Sequence, residues 1–199
     1  MKKVSRNVTR VAVVAILTGV LMSCTTNPDD DDEFDGYKTV KIGRQVWMAE
    51  NLNYASKSST CYNNDTINCN KYGRLYSFEE ATKVCPPGWR LPKNADWDTL
   101  ITFAGGRNIA GTKLKAKKEI DPNNDGTDDF GFTALLGGLQ FSDGHFGEPE
   151  TGIWWSSSGE ESDRFEDHFI MGLTKTTAIL EGCGSPQNKH SVRCIKNDN

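Results

Sequence analysis

The segment Asp121-Pro122-Asn123-Asn124-Asp125-Gly126-Thr127-Asp128-Asp129 places oxygen-bearing residues at alternate positions around a glycine that permits a sharp turn. That pattern suits calcium, which gathers about six to eight oxygen ligands. The candidate ligands are Asp121, Asn123, Asp125, the Thr127 carbonyl and Asp129. Phe132 stands where an EF-hand loop brings its bidentate Glu, and no paired helices flank the segment, so an ordinary Asx-rich turn is the simpler reading. Trp47, Trp89, Trp97, Trp154 and Trp155 form a second group, because an exposed indole matches the C–H face of a pyranose. Trp97 falls on an apolar helical stripe and Trp89 in a proline-flanked turn, both positions that suit a core. Trp154 and Trp155 are neighbours on a strand and point to opposite faces, which leaves one of the two as the candidate ligand contact. His145, His168 and His190 are far apart with no Glu-x-x-His spacing, and they read as surface residues. Ser156-Ser157-Ser158 lacks a Gly-x-Ser-x-Gly elbow and reads as a set of strand-end hydrogen-bonders. No carboxylate sits in the apolar context that general-acid chemistry requires. No catalytic residue is assigned, and the chain is expected not to be an enzyme.

The 199 residues carry 23 basic and 27 acidic side chains, a net charge of -4 that argues against a nucleic-acid partner. Residues 1–23 combine a basic start (Lys2, Lys3, Arg6, Arg10) with an apolar run from Val11 to Met22, too short for a permanent membrane span. Leu21-Met22-Ser23-Cys24 resembles the bacterial lipobox, which implies that Cys24 is diacylglycerated and becomes the new N-terminus. Cleavage there removes four basic residues and leaves 19 basic against 27 acidic, or -8. Residues 24–36, with Asp29-Asp30-Asp31-Asp32-Glu33, read as an acidic tether that cannot fold alone. The missing Asp after Cys24 resembles outer-membrane sorting, and the acidic stretch resembles surface-export signals, so the expected location is the outer membrane, periplasmic or cell-surface facing. The expected partners are the membrane, through the lipid, and a polysaccharide or envelope protein.

Hydrophobic residues make up 36% of the chain, enough for one core over residues 37–196, while 19 Gly and 7 Pro argue against a helical bundle. Val40, Ile42, Val46 and Met48 flank Gly43-Arg44 as a hairpin. Ser77-Phe78-Glu79-Glu80 reads as a capping box opening a first short helix that Pro86-Pro87-Gly88 ends. A second helix is expected to be capped by Asn94, carry Trp97, Leu100, Ile101 and Ala104 on one stripe, and stop at Gly105-Gly106. Strands are expected at 132–135, 139–141, 153–156, 169–173, 177–180 and 191–196.

Five cysteines remain beyond Cys24, and in an exported chain they are expected to oxidise where geometry permits. Cys61 with Cys69 would close a short polar loop, and Cys85 with Cys194 would join the first helix to the last strand. Chain entropy gives these about 2.5 and about 4.7 kcal/mol. Cys183 could instead compete with Cys194 for Cys85, and the spacing leaves that choice open.

Several stretches together resemble the Fibrobacter succinogenes major paralogous domain of bacterial lipoproteins. They are Gln45-Val46-Trp47-Met48-Ala49-Glu50-Asn51-Leu52-Asn53-Tyr54, Tyr72-Gly73-Arg74-Leu75-Tyr76, Cys85-Pro86-Pro87-Gly88-Trp89-Arg90-Leu91-Pro92, Gly126-Thr127-Asp128-Asp129-Phe130-Gly131-Phe132, Trp154-Trp155-Ser156-Ser157-Ser158 and Ser191-Val192-Arg193-Cys194. The step from Trp89-Arg90-Leu91-Pro92 into the Trp97 helix is similar to the C-type-lectin-like fold and its formylglycine-generating enzyme branch, as is a cystine from first helix to last strand. The resemblance implies an α+β domain with two short helices and a small, loop-rich antiparallel sheet. Sugar-binding C-type lectins use Glu-Pro-Asn or Gln-Pro-Asp with a later Trp-Asn-Asp; here Glu148-Pro149-Glu150 stands alone, so that sugar site is not expected. The oxidase branch needs a reactive cysteine pair, and the pairings above use the cysteines structurally. The expected function is non-catalytic recognition of polysaccharide or another envelope component, with an envelope scaffold as the alternative and an oxidase of the formylglycine-generating type behind both.

Overall fold

The structure is a computed structural model that describes residues 33–34, 36–118, 120, 122, 125–148, 150–159, 168–174 and 179–197. Cys24, the signal segment and most of the tether lie outside the described residues. Residues 31–199 form one compact unit. Among the described residues no helix is long and apolar enough to cross a membrane.

The first sheet begins with β1 (Glu33–Phe34), β2 (Tyr37–Ile42) and β3 (Gln45–Met48), the expected hairpin closing at Gly43-Arg44. It is completed by β5 (Trp89–Arg90) and by β12 (Ile195–Lys196), in the order β1-β2-β3-β12-β5. The chain's last strand therefore lies between its N-terminal hairpin and a strand from its middle. The second sheet contains β4 (Leu75–Tyr76), β8 (Thr151–Gly159), β9 (His168–Thr174), β10 (Ile179–Gly184) and β11 (His190–Ser191), in the order β10-β9-β8-β11-β4. Its pairs are antiparallel except β8 with β11. A two-stranded ribbon, β6 (Leu139–Gln140) with β7 (Phe146–Gly147), lies outside both sheets.

Among the described residues four α-helices accompany the strands, where two were expected: α1 (Thr66–Tyr72), α2 (Phe78–Ala81), α3 (Asn94–Phe103) and α4 (Arg107–Leu114). The stripe on α3 is confirmed, with Trp97, Leu100, Ile101 and Ala104 all buried. Its cap is Lys93 and not Asn94: the Asp96 carboxylate, held by an Arg90 fork at 2.5 and 3.0 Å, accepts the Lys93 N–H at 2.7 Å. The Asn94 N–H instead donates to Ser158 Oγ at 2.9 Å. The expected capping box on α2 does not form either, and the helix has only four residues. Glu80 accepts from Ser56 Oγ at 2.8 Å and from the Ser58 N–H at 3.0 Å, tying down the 56–58 loop and not its own helix end. The proposed strand at 132–135 is reduced to a single bridge between Lys115 and Ala134, and the one at 191–196 is broken into β11 and β12. Thr177, where another strand was expected to start, lies outside the described residues.

Two hydrophobic cores sit on opposite faces of β8. One gathers Trp47, Trp97, Leu100, Phe132, Trp154 and Leu173. The other gathers Met48, Tyr76, Leu91, Trp155, Val192 and Cys194.

Both expected cystines form, Cys61–Cys69 and Cys85–Cys194. The first fastens α1 to the turn before it; the second closes 109 residues of sequence. Because loop closure costs the unfolded chain more as the loop grows, replacing Cys85 and Cys194 with serine should lower stability by about 4.7 kcal/mol, against about 2.5 for Cys61 and Cys69. Urea unfolding of the two double variants checks this, and a larger loss from the short loop would contradict it.

Candidate functional site

The sequence motifs converge on one buried group. Arg193, fully buried, sends Nε and Nη2 to Asn51 Oδ1 at 3.1 and 2.7 Å. Its Nη1 donates to the Phe132 carbonyl and its Nη2 also reaches the Thr133 carbonyl at 3.5 Å. The guanidinium carbon lies 4.4 Å from the Phe132 ring centre, a cation-π contact. Asn51 Oδ1 accepts a third bond from Trp154 Nε1 at 2.8 Å, and Asn51 Nδ2 donates to the Tyr72 carbonyl at 2.8 Å. Burial pulls the Arg193 pKa down to about 9, opposed by Asp128 and Glu50, so it stays charged at neutral pH. Gly73 makes room for this node. Its φ is +76°, and a Cβ there would lie 2.8 Å from that of Asn51.

The remaining motif residues are also tied into the framework. Ser157 N and Ser156 Oγ donate to the Pro92 carbonyl at 2.7 and 3.3 Å, the strand-end role expected of them. Asp128, at φ +46°, accepts from Thr133 N and Oγ1 at 2.8 and 2.7 Å. Tyr76 donates to the Tyr54 carbonyl at 2.8 Å.

Neither member of the tryptophan pair is available as expected. Trp154 and Trp155 do point to opposite faces, but each face carries a core, and both are 0% exposed. Trp155 Nε1 donates to the Tyr76 carbonyl at 2.6 Å and its ring meets Phe78 edge-on at 5.4 Å. The idea that one of the pair stacks on a sugar is corrected: a strand sandwiched between two cores has no solvent face.

Of the candidate calcium ligands, Asp121 and Asn123 lie outside the described residues. Asp125 Oδ1 lies 2.6 Å from Nζ of Lys115, itself buried, and Asp129 lies 3.9 Å from Lys113 Nζ. The Thr127 N–H donates to the Thr112 carbonyl at 2.9 Å, so this segment follows α4. Among the described residues no group of three His, Cys, Asp or Glu side chains is placed to hold a metal ion.

Open space lies elsewhere. One cleft, of about 250 Å³, adjoins the Asn51 node between Tyr37, Glu50, Asn53, Lys71 and Thr133. Another, of about 360 Å³, opens on the second sheet beside the ribbon, where Leu139, Phe141, Ile153 and Ile170 face Thr151, Asn188 and His190. That volume falls within the roughly 300–1,000 Å³ of small-molecule sites. His190 is the most buried polar group of its lining, at 2% exposure, and neither Nδ1 nor Nε2 has a hydrogen-bond partner. Its ring meets Trp155 edge-on at 4.3 Å. The reading of His190 as a surface residue is thus corrected. The available signal was its position directly before Ser191-Val192-Arg193-Cys194, the segment that threads the core. His145 is exposed and paired with Asp143, and the side chain of His168 lies outside the described ones.

Two sheets stitched by the chain's last residues, a long-range cystine and a buried arginine node define a single α+β domain with loop-borne clefts. The chain belongs to the Fibrobacter succinogenes major domain family, which it matches over residues 40–196. No curated protein and no solved structure matches it.

Burial pushes the His190 imidazole from 6.5 down to about 3. In the unfolded chain the same group protonates near its ordinary value, so the unfolded state binds more protons as pH falls from about 6.5 toward about 3, and stability is lost across that window. The slope is at most about 1.4 kcal/mol per pH unit. Glu80 and Asp96 also have depressed values, each held there by hydrogen bonds against the opposing effect of burial, and their losses fall at lower pH. Urea midpoints should therefore drop between pH 7 and pH 5, and His190→Phe should flatten that decline; an unchanged slope would refute it.

Proposed function

We propose that the protein is a cell-envelope lipoprotein, lipidated at Cys24 and held off the outer membrane by residues 24–36, whose domain recognises a polysaccharide or another envelope component without transforming it. The observation that carries the recognition reading is the His190 cleft. It is ligand-sized, has an apolar wall on one side, and contains a buried polar group with no partner. The lipobox-like Leu21-Met22-Ser23-Cys24 supports the anchor, and two cystines suit an oxidising compartment. We further propose a C-type-lectin-like fold. The pairing of β12 with β3 and β5 and the Cys85–Cys194 bond are in keeping with it.

A specific feature favours a second reading, a protein-binding scaffold. Ile42, Gly43, Thr102 and Phe103 line an apolar groove of about 500 Å³, and Phe103 is 53% exposed. Retention of the detergent-solubilised protein on cellulose, xylan and peptidoglycan, with calcium and with chelator, separates the two. Saturable retention released by soluble oligosaccharide is expected. Loss of retention on every matrix in both conditions would favour the scaffold. In cells, Cys24→Ala should move the protein out of the membrane fraction; a variant that still pellets with membranes would refute lipidation.

A further inference from the structure

The chemistry of the His190 cleft narrows its ligand, given that the domain is a recognition module. A neutral imidazole has one N–H to give and one lone pair to offer, and both are unmet on a ring that is itself almost closed to solvent. An anion would satisfy only the N–H, and an ammonium only the lone pair. A sugar carries several hydroxyls, so one can donate to the lone pair while another accepts from the N–H. The charges of the lining agree: among the described residues it contains no Lys or Arg, and Glu148 is its one carboxylate. Neighbouring Lys189 is directed elsewhere, donating to the Ser58 carbonyl at 2.6 Å. A carboxylate or phosphate ligand would find no counter-charge and one repulsive group.

Beside the imidazole the wall is hydrocarbon. Leu139, Ile153 and Ile170 with Phe141 suit the C–H face of a ring, while Thr151, Ser185 and Asn188 supply further polar contacts. Gly184 packs directly against the imidazole. A Cβ at that position would lie 3.2 Å from His190 Nε2, 3.1 Å from Ile170 Cγ2 and 3.3 Å from Trp155 Cζ3.

We propose that the cleft between β8, the β6–β7 ribbon and the 184–190 segment binds a neutral hydroxylated ring, a pyranose unit, with His190 as its hydrogen-bonding centre and Gly184 packed beside it. Anionic sugars are discriminated against by Glu148, which no cationic side chain offsets among the described residues of the lining.

The test uses the full chain in detergent and a panel of methyl glycosides of glucose, galactose, xylose and N-acetylglucosamine, with methyl glucuronoside as the charged counterpart of the glucoside. Binding is followed by titration calorimetry and by the ¹⁵N resonances of the His190 ring. At least one neutral glycoside is expected to shift both ring nitrogens, and the glucuronoside to bind at least about tenfold more weakly than the glucoside. Gly184→Ala, which keeps the imidazole and needs no unusual backbone angle but presses on Ile170, His190 and Trp155, should weaken binding by a similar factor, with thermal unfolding followed alongside to show that the variant is folded. Glu148→Gln should narrow the gap between the two sugars. Equal affinity for the glucuronoside overturns the ligand class. Binding that leaves the His190 nitrogens and the Gly184→Ala variant unaffected overturns the site but leaves the recognition reading standing. If no methyl glycoside binds, the inference fails, and retention on the polysaccharide matrices then decides the broader reading separately.

Discussion

A guanidinium sealed inside the protein dictates much of the rest. Taking Arg193 out of water costs several kcal/mol unless its donors are met, and among the described residues no carboxylate touches it. Neutral acceptors do the work: one amide oxygen, two backbone carbonyls and the face of Phe132. Those acceptors come from the turn after β3 and the coil before the ribbon, while Asn51 also holds Trp154 of β8 and the end of α1. Segments separated by up to 142 residues are thereby fixed to one atom, Asn51 Oδ1. The neighbouring Cys85–Cys194 bond fastens the same stretch covalently to the chain after α2.

With that node in place, β8 becomes an internal wall. Trp154 faces the Trp47–Trp97–Phe132 cluster, where ring centres lie 4.8 to 6.4 Å apart, and Trp155 faces Tyr76, Phe78 and the cystine. Family motifs and tryptophans alike are committed to holding the two sheets together. Open space is left at the loop-lined margin of the second sheet. There His190 has the opposite character to Arg193: one is a buried polar group with every need met, the other a buried polar group with none.

Much of the fold was legible, but unevenly. The hairpin at Gly43-Arg44 and the α3 stripe follow from periodicity, because each buries one clear face. The two extra helices do not. In α4 only Ala110, Gly111 and Leu114 are buried while Ile109 is 49% exposed, and in α1 only Cys69 is buried while Ile67 is 70% exposed. Helices held by a cystine or by a short apolar edge leave little pattern to read. Both capping assignments failed through contacts outside the local pattern: Ser56 and Ser58 took Glu80 from its helix end, and Asp96, fixed by Arg90, accepts the Lys93 N–H and sets the cap one residue before Asn94. Of the candidate site, the Cys61–Cys69 cystine was legible from its short spacing, whereas Cys85–Cys194 was one of two pairings that the spacing left open. The burial of the tryptophan pair was not, since alternation along a strand says which side a residue points to and not whether that side is covered. His190 was hidden for the same reason.

The claim that this domain is organised around the Asn51–Arg193 pair is tested most directly by a double-mutant cycle in urea with Asn51→Leu, Arg193→Met and the double variant. Each single change strands polar partners in the core and is expected to cost about 3–5 kcal/mol, while the double variant should cost much less than the sum. Additive losses, or an Asn51→Leu variant as stable as wild type, would contradict it.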